Sequence, residues 1–133
     1  MELSFTLNGR RHENFTIEEI EALDISDDEK KSAITQGRKP KVSAECRRRI
    51  YEKASAETQM NMATAAALIS AKAEGDRSAE ETEILSGLND AIGWVGDMRA
   101  AYQSISADPE ADVYDDASWP PFPDGARDLV AKF

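Results

Sequence analysis

A single cysteine, Cys46, and a single histidine, His12, exclude more than any motif that is present. One cysteine rules out an internal disulfide and a thiolate metal cluster built from one copy of the chain, and it is compatible with synthesis in a reducing cytoplasm. Nucleophilic catalysis needs a nucleophile, a base and an orienting group within reach of one another. His12 lies in a polar stretch that reads as a strand, where an exposed structural role is the simpler account. Cys46 precedes Arg47, Arg48 and Arg49, which would favour its thiolate, yet a small residue on a packed helix face explains it better. No catalytic residue, cofactor or metal ligand is therefore expected.

Other absences narrow the field further. Neither GxGxxG nor GxxxxGK[ST] occurs, so nucleotide chemistry has no foothold. Asp108, Glu110 and Asp112 copy the alternating acids that open a calcium loop, but Val113 stands where the turn glycine belongs and Trp119 where the bidentate acid belongs. The opening Met1-Glu2-Leu3-Ser4-Phe5 has no charged n-region and no long apolar stretch, so neither a secretory signal nor a membrane span is expected.

What the chain has in plenty is negative charge. Its 133 residues carry 26 acids against 16 bases, a formal charge of −10, which argues against a nucleic-acid partner because phosphates are repelled at long range. The balance is uneven: residues 1–37 hold 9 acids and 4 bases, residues 38–73 hold 3 and 8, and residues 74–133 hold 14 and 4. A basic helix start beside an acidic second half suits pairing within the chain or between copies, and such pairing contributes more to orientation than to affinity. The three adjacent arginines point around a helix and make no single stripe.

The length suits one domain with appendages. Leu3, Phe5 and Leu7 alternate with polar residues at the strand period, Asn8-Gly9 supplies a tight turn, and Arg10 to Phe15 returns as a polar edge strand. Thr16 with Glu19, and Ser26 with Glu29, have the spacing of capping boxes. They predict a short helix near 17–23 and another that ends at Gly37, with Pro40 separating this front module from the long helices. The segment 43–73 has no Gly or Pro and is rich in helix formers. Glu74-Gly75-Asp76-Arg77 breaks it, and Ser78 with Glu81 opens a second long helix over 79–106. So short a link favours an antiparallel helical hairpin.

On the second long helix Ile84, Leu88, Ala91, Val95, Met98, Tyr102 and Ile105 recur at alternating four- and three-residue steps, a heptad seam. On the first, Tyr51, Ala54, Thr58, Asn61, Ala65 and Leu68 make a similar ladder of small and polar residues. Two readings stay open: packing within the chain with Asn61 at the edge, or self-association in which Thr58 and Asn61 set register and copy number. Beyond Ile105 come an acidic loop and the stiff run Trp119-Pro120-Pro121-Phe122-Pro123. A short helix from about Asp124 then presents Leu129, Val130 and Phe133. This strap either docks on a partner or folds back on the chain with Trp119 and Phe122 as pins.

Val42-Ser43-Ala44-Glu45-Cys46-Arg47-Arg48-Arg49-Ile50, continuing through Ala54 to Asn61, resembles small tail-associated proteins of tailed bacteriophages and prophages. Those often carry an Asn/Ser-Ala-Glu-X-Arg-Arg-Arg-Ile opening, an alanine-rich helix, and a second helix with a central Trp, as at Trp94-Val95-Gly96-Asp97-Met98-Arg99. The resemblance covers about residues 40–106 and carries over no catalytic or ligand residue.

The reading is a mainly α protein: an N-terminal β-hairpin with short helices over 1–40, a long antiparallel helical hairpin over 41–107, and an extended Pro-rich C-terminal strap over 108–133. The resemblance implies a non-enzymatic structural component of a phage tail, at the tail tip or a fibre attachment. It would be made in the host cytoplasm and located in the virion. Its partners would be other virion proteins and further copies of itself, a trimer being one option, with no nucleic acid and no membrane. A cytoplasmic tail-assembly chaperone and a phage-encoded regulator of a host protein are the alternatives.

Overall fold

The computed structural model describes residues 1–133. It is mainly helical. A two-stranded antiparallel hairpin, β1 (Leu3–Leu7) and β2 (Arg10–Phe15), is followed by five α-helices: α1 (Ile17–Glu21), α2 (Asp27–Lys53), α3 (Ala56–Ser70), α4 (Ala79–Ala107) and α5 (Asp124–Val130). The chain divides into two compact units, the first made of Met1–Cys46 with Ala100–Ser118 and the second of Arg47–Arg99 with Trp119–Phe133. No helix is long and apolar enough to cross a membrane.

In unit one the hairpin closes through Asn8 and Gly9, both at positive φ (50° and 77°), the conformation a two-residue turn between twisted strands demands. The register pairs Leu3 with Phe15 and Phe5 with His12, and it slips between Leu3 and Phe5. Asn14 takes up the irregularity at φ 60°, and its amide donates to Ser4 Oγ. A lone hairpin is marginal in water, so this one buries Leu3 and Phe5 against Ile20, Ala33 and Ile34, with Leu7, Phe15, Ile17 and Leu23 around them. His12 is half-buried and stacks on Phe5 at 4.9 Å between centroids.

The helix starts at Thr16, Ser26 and Ser78 fall where their capping residues put them. Ser26 Oγ accepts from the Glu29 amide while Glu29 accepts from the Ser26 amide, and Ser78 with Glu81 repeats the exchange. Thr16 Oγ1 accepts from the Glu19 amide.

Two expected boundaries are corrected. The helix expected to end at Gly37 runs on as α2 through Gly37 and Pro40 to Lys53. Proline in a helix interior removes one hydrogen bond and crowds the carbonyl four residues back. Here Ile34, Gly37 and Arg38 before it and Val42, Glu45 and Cys46 after it are all buried, while Gln36 and Pro40 face solvent. Packing on both sides thus holds the helix through a weak point. At Gly37 a Cβ would lie 2.6 Å from Leu3 Cβ, so this glycine serves close approach of the hairpin and not helix termination.

The continuous helix expected over 43–73 is two helices. Ser55 has extended backbone (ψ 163°) and its hydroxyl accepts from the Thr58 amide, while the Gln59 side chain donates to Ala54 O. These local bonds offer the backbone an alternative to the helical ladder. Serine followed by Glu57 in the first turn is the sequence signal for that cap.

Arg38 and Glu45 are the buried charged residues of unit one. The Arg38 guanidinium donates to Ile105 O through Nε (3.3 Å) and Nη2 (3.0 Å), and to Ala111 O through Nη2 (3.1 Å). One side chain therefore joins the Asp108 amide on a carbonyl at the end of α4 and also reaches a carbonyl of the acidic loop. Burial pushes the guanidinium below its ordinary pKa, and the nearby Asp108 carboxylate opposes that push. In the loop itself Asp108, Asp112 and Asp115 each accept from the backbone amide two residues on. The acids act as turn formers there.

Candidate functional site

Unit two contains an open, mostly apolar groove of about 640 Å³. The end of α2 lines it with Ile50, Lys53 and Ala54; α3 adds Gln59, Met62, Ala63 and Ala66. From α4 come Leu88, Ala91, Ile92, Trp94, Val95, Gly96 and Arg99, and the C-terminal segment adds Phe122 and Val130. The break at Ser55 builds this wall, because it lets α3 take a helical phase of its own in which Met62, Ala66 and Ile69 form the buried face.

One wall is fixed by aromatics. Trp94 is 5% exposed and its indole Nε1 donates to Pro120 O at 3.1 Å. The Phe122 ring meets the indole edge to face at 4.8 Å. Lys53 Nζ lies 5.8 Å from the Phe122 centroid and Arg49 stands 5.6 Å over Trp119. These are cation–π distances. The three adjacent arginines diverge as expected: Arg47 lies over Tyr51, Arg48 pairs with Glu52 at 2.7 Å, and Arg49 faces Trp119.

The helical hairpin of α3 and α4 is closed by its link. Arg77 donates to Ile69 O and Lys72 O at the end of α3, and Lys72 Nζ pairs with Glu81 at 2.8 Å. That hydrogen bond from Lys72, followed by one from the Ser78 amide, holds the Glu81 carboxyl below its ordinary pKa. On α5 the backbone comes close to α4: a Cβ on Gly87 would meet Gly125 O at 2.9 Å.

The expected seam on α4 lies on the covered side of the helix. Ile84, Leu88, Val95 and Tyr102 are half-buried, and Met98 and Ile105 are buried. Trp94, which the heptad count omits, is buried with them. The expected ladder on the first helix does not coincide with the face that α3 buries. Thr58 is half-buried and accepts from Ser55 Oγ, while Asn61 is exposed and Leu68 is 68% exposed. A continuous helix from 43 would carry its phase across Ser55, and the cap resets it.

In the C-terminal segment Trp119 and Leu129 are buried, Phe122 is half-buried, and Phe133 is 40% exposed. The groove itself and Trp94 as its floor were not read from the sequence. Cys46 is buried, and no three His, Cys, Asp or Glu side chains gather as a metal site would require.

A second feature of unit two is the outward side of α3. From Thr58 to Ala71 there is no charged residue, in a chain of which 32% is charged. Met60 and Leu68 stand out from this stretch at 70% and 68% exposure. Comparison with known proteins finds no family model that matches the chain and no curated protein whose sequence matches it.

Proposed function

We propose that this chain is a non-enzymatic structural component of a phage tail, at the tail tip or a fibre attachment. In this reading several copies associate with one another and with other virion proteins. The observation that carries the assembly part is the outward side of α3 beyond its first-turn Glu57, where residues 58–71 carry no charge and Met60 and Leu68 stand in solvent. Charge is depleted and Met enriched at the cores of protein interfaces, and contiguous apolar surface on a small protein marks a contact. A chain of charge −10 repels its copies at long range, so the stretch of α3 past Glu57, which has no carboxylate, is where copies meet at least electrostatic cost.

Thr58 and Asn61 lie in the same uncharged stretch of α3 and supply the polar contacts that set register. The Pro-rich segment from Trp119 serves as a strap whose last residues, with Phe133 exposed, attach to a neighbour. The tail assignment is supported by the resemblance at residues 42–61 and 94–99.

Mass spectrometry of purified particles tests it. The tail-component reading expects the chain in mature particles at multiple copies. Its presence in infected cells but not in particles would favour the tail-assembly chaperone, and a stable complex with a host protein would favour the regulator.

A further inference from the structure

We propose that the unit-two groove binds an amphipathic helix of a partner protein whose apolar stripe is bordered by carboxylates. The inference does not need the tail assignment, because it rests on the groove's length and charge.

Leu88, Ile92, Val95 and Arg99 follow one another along α4 at steps of four, three and four residues, so they share a face, and all four line the groove. Eleven residues of rise make that stripe about 16 Å long, or about three turns of a docked helix. A helix lying in such a groove anchors itself through apolar residues at i, i+3, i+4 and i+7. Ile92, in the middle of the stripe, is 61% exposed, an uncovered anchor point. The floor is already held by Trp94 on Pro120 O and Phe122, so little ordering cost attends docking.

Charge selects the occupant. Acids outnumber bases in the chain by 26 to 16, yet the groove lining includes Lys53 and Arg99 and not one Asp or Glu. Lys53 reaches Glu52 only at 4.0 Å, and Glu52 is already paired with Arg48 at 2.7 Å. An apolar floor with cations at its border complements a helix with acids beside its apolar face, and it disfavours a basic one.

The test uses the full chain and a fluorescein-labelled synthetic helix of about 14 residues, with leucines at the anchor spacing and glutamates flanking them; the control peptide carries lysines instead. Fluorescence anisotropy should show saturable binding of the glutamate peptide and at least tenfold weaker binding of the lysine peptide. Lys53→Glu with Arg99→Glu should reverse that preference, and Ile92→Glu should abolish binding of both, with circular dichroism melts unchanged because all three residues are exposed. Equal binding of the two peptides, or none by a chain that melts normally, would overturn the proposal. So would concentration-dependent self-association that Ile92→Glu removes, since the occupant would then be a second copy.

Discussion

In unit one Leu3, Phe5 and Ile20 are fully buried and the buried Arg38 is matched by two carbonyls. In unit two Met60, Leu68 and Ile92 are each more than 60% exposed, and the groove beside Ile92 is open. The units differ little in means, since both are built from helices with serine or threonine caps. They differ in where apolar surface ends up. Unit one spends its β-branched and aromatic residues closing a small core around a hairpin that could not stand alone. Unit two uses alanine and methionine on α3, which cover less, and leaves large side chains facing out. Apart from Met1 and Tyr114, unit one covers its large apolar side chains, while unit two leaves Met60, Leu68 and Ile92 in solvent.

Substitutions at one glycine from each unit, packed Gly37 and open Gly93, should separate these roles most sharply. Gly37→Ala places a methyl against Leu3 in a packed site, and overpacking of this kind should destabilise the chain by about 2–3 kcal/mol in urea unfolding. Gly93→Ala on α4 meets nothing within 4 Å, and it should stabilise by about 0.5–1 kcal/mol because only the helix-interior cost of glycine is removed. If Gly37→Ala proved as harmless as Gly93→Ala, the contrast in packing would fail.

Next in size, Arg38→Met should cost about 2 kcal/mol, since it leaves the Ala111 carbonyl without its side-chain donor and the Ile105 carbonyl with the Asp108 amide alone. The loss should appear as faster amide exchange over 106–116, with unit-two amides unchanged. Ser55→Ala removes the cap that starts α3 and should cost about 1 kcal/mol, read in thermal melts by circular dichroism. The smallest effect concerns Glu81. Its carboxyl sits below the ordinary value in the folded chain, so its contribution is present above the unfolded pKa and is lost as pH falls through the lowered one. A Lys72→Gln chain should therefore lose less melting temperature than wild type between neutral pH and acid below the carboxylate range.

Much of unit one was legible because its signals are local. Asn8-Gly9, the alternation around Phe5 and the capping boxes at Thr16 and Ser26 each fix a feature within a few residues. Gly37 and Pro40 misled for the converse reason. Both are helix breakers by intrinsic preference, and only burial of residues on either side, brought about by distant chain, overrides them. In unit two the α4 seam was legible because a heptad pattern survives as long as the helix is unbroken. The α3 face was not, because one uncounted cap at Ser55 shifts every later residue around the axis. The groove was out of reach altogether, since it depends on Phe122 and Pro120 arriving beside Trp94 from 26 or more residues away.

The claim that unit two presents an assembly surface is tested most directly by light scattering on the purified chain at micromolar concentration, beside a Met60→Glu, Leu68→Glu double variant. The account predicts a mass of two or more chains for the wild type, and a monomer with an unchanged melt for the variant. A wild-type chain that scatters as a clean monomer, or a variant that associates as the wild type does, would contradict it.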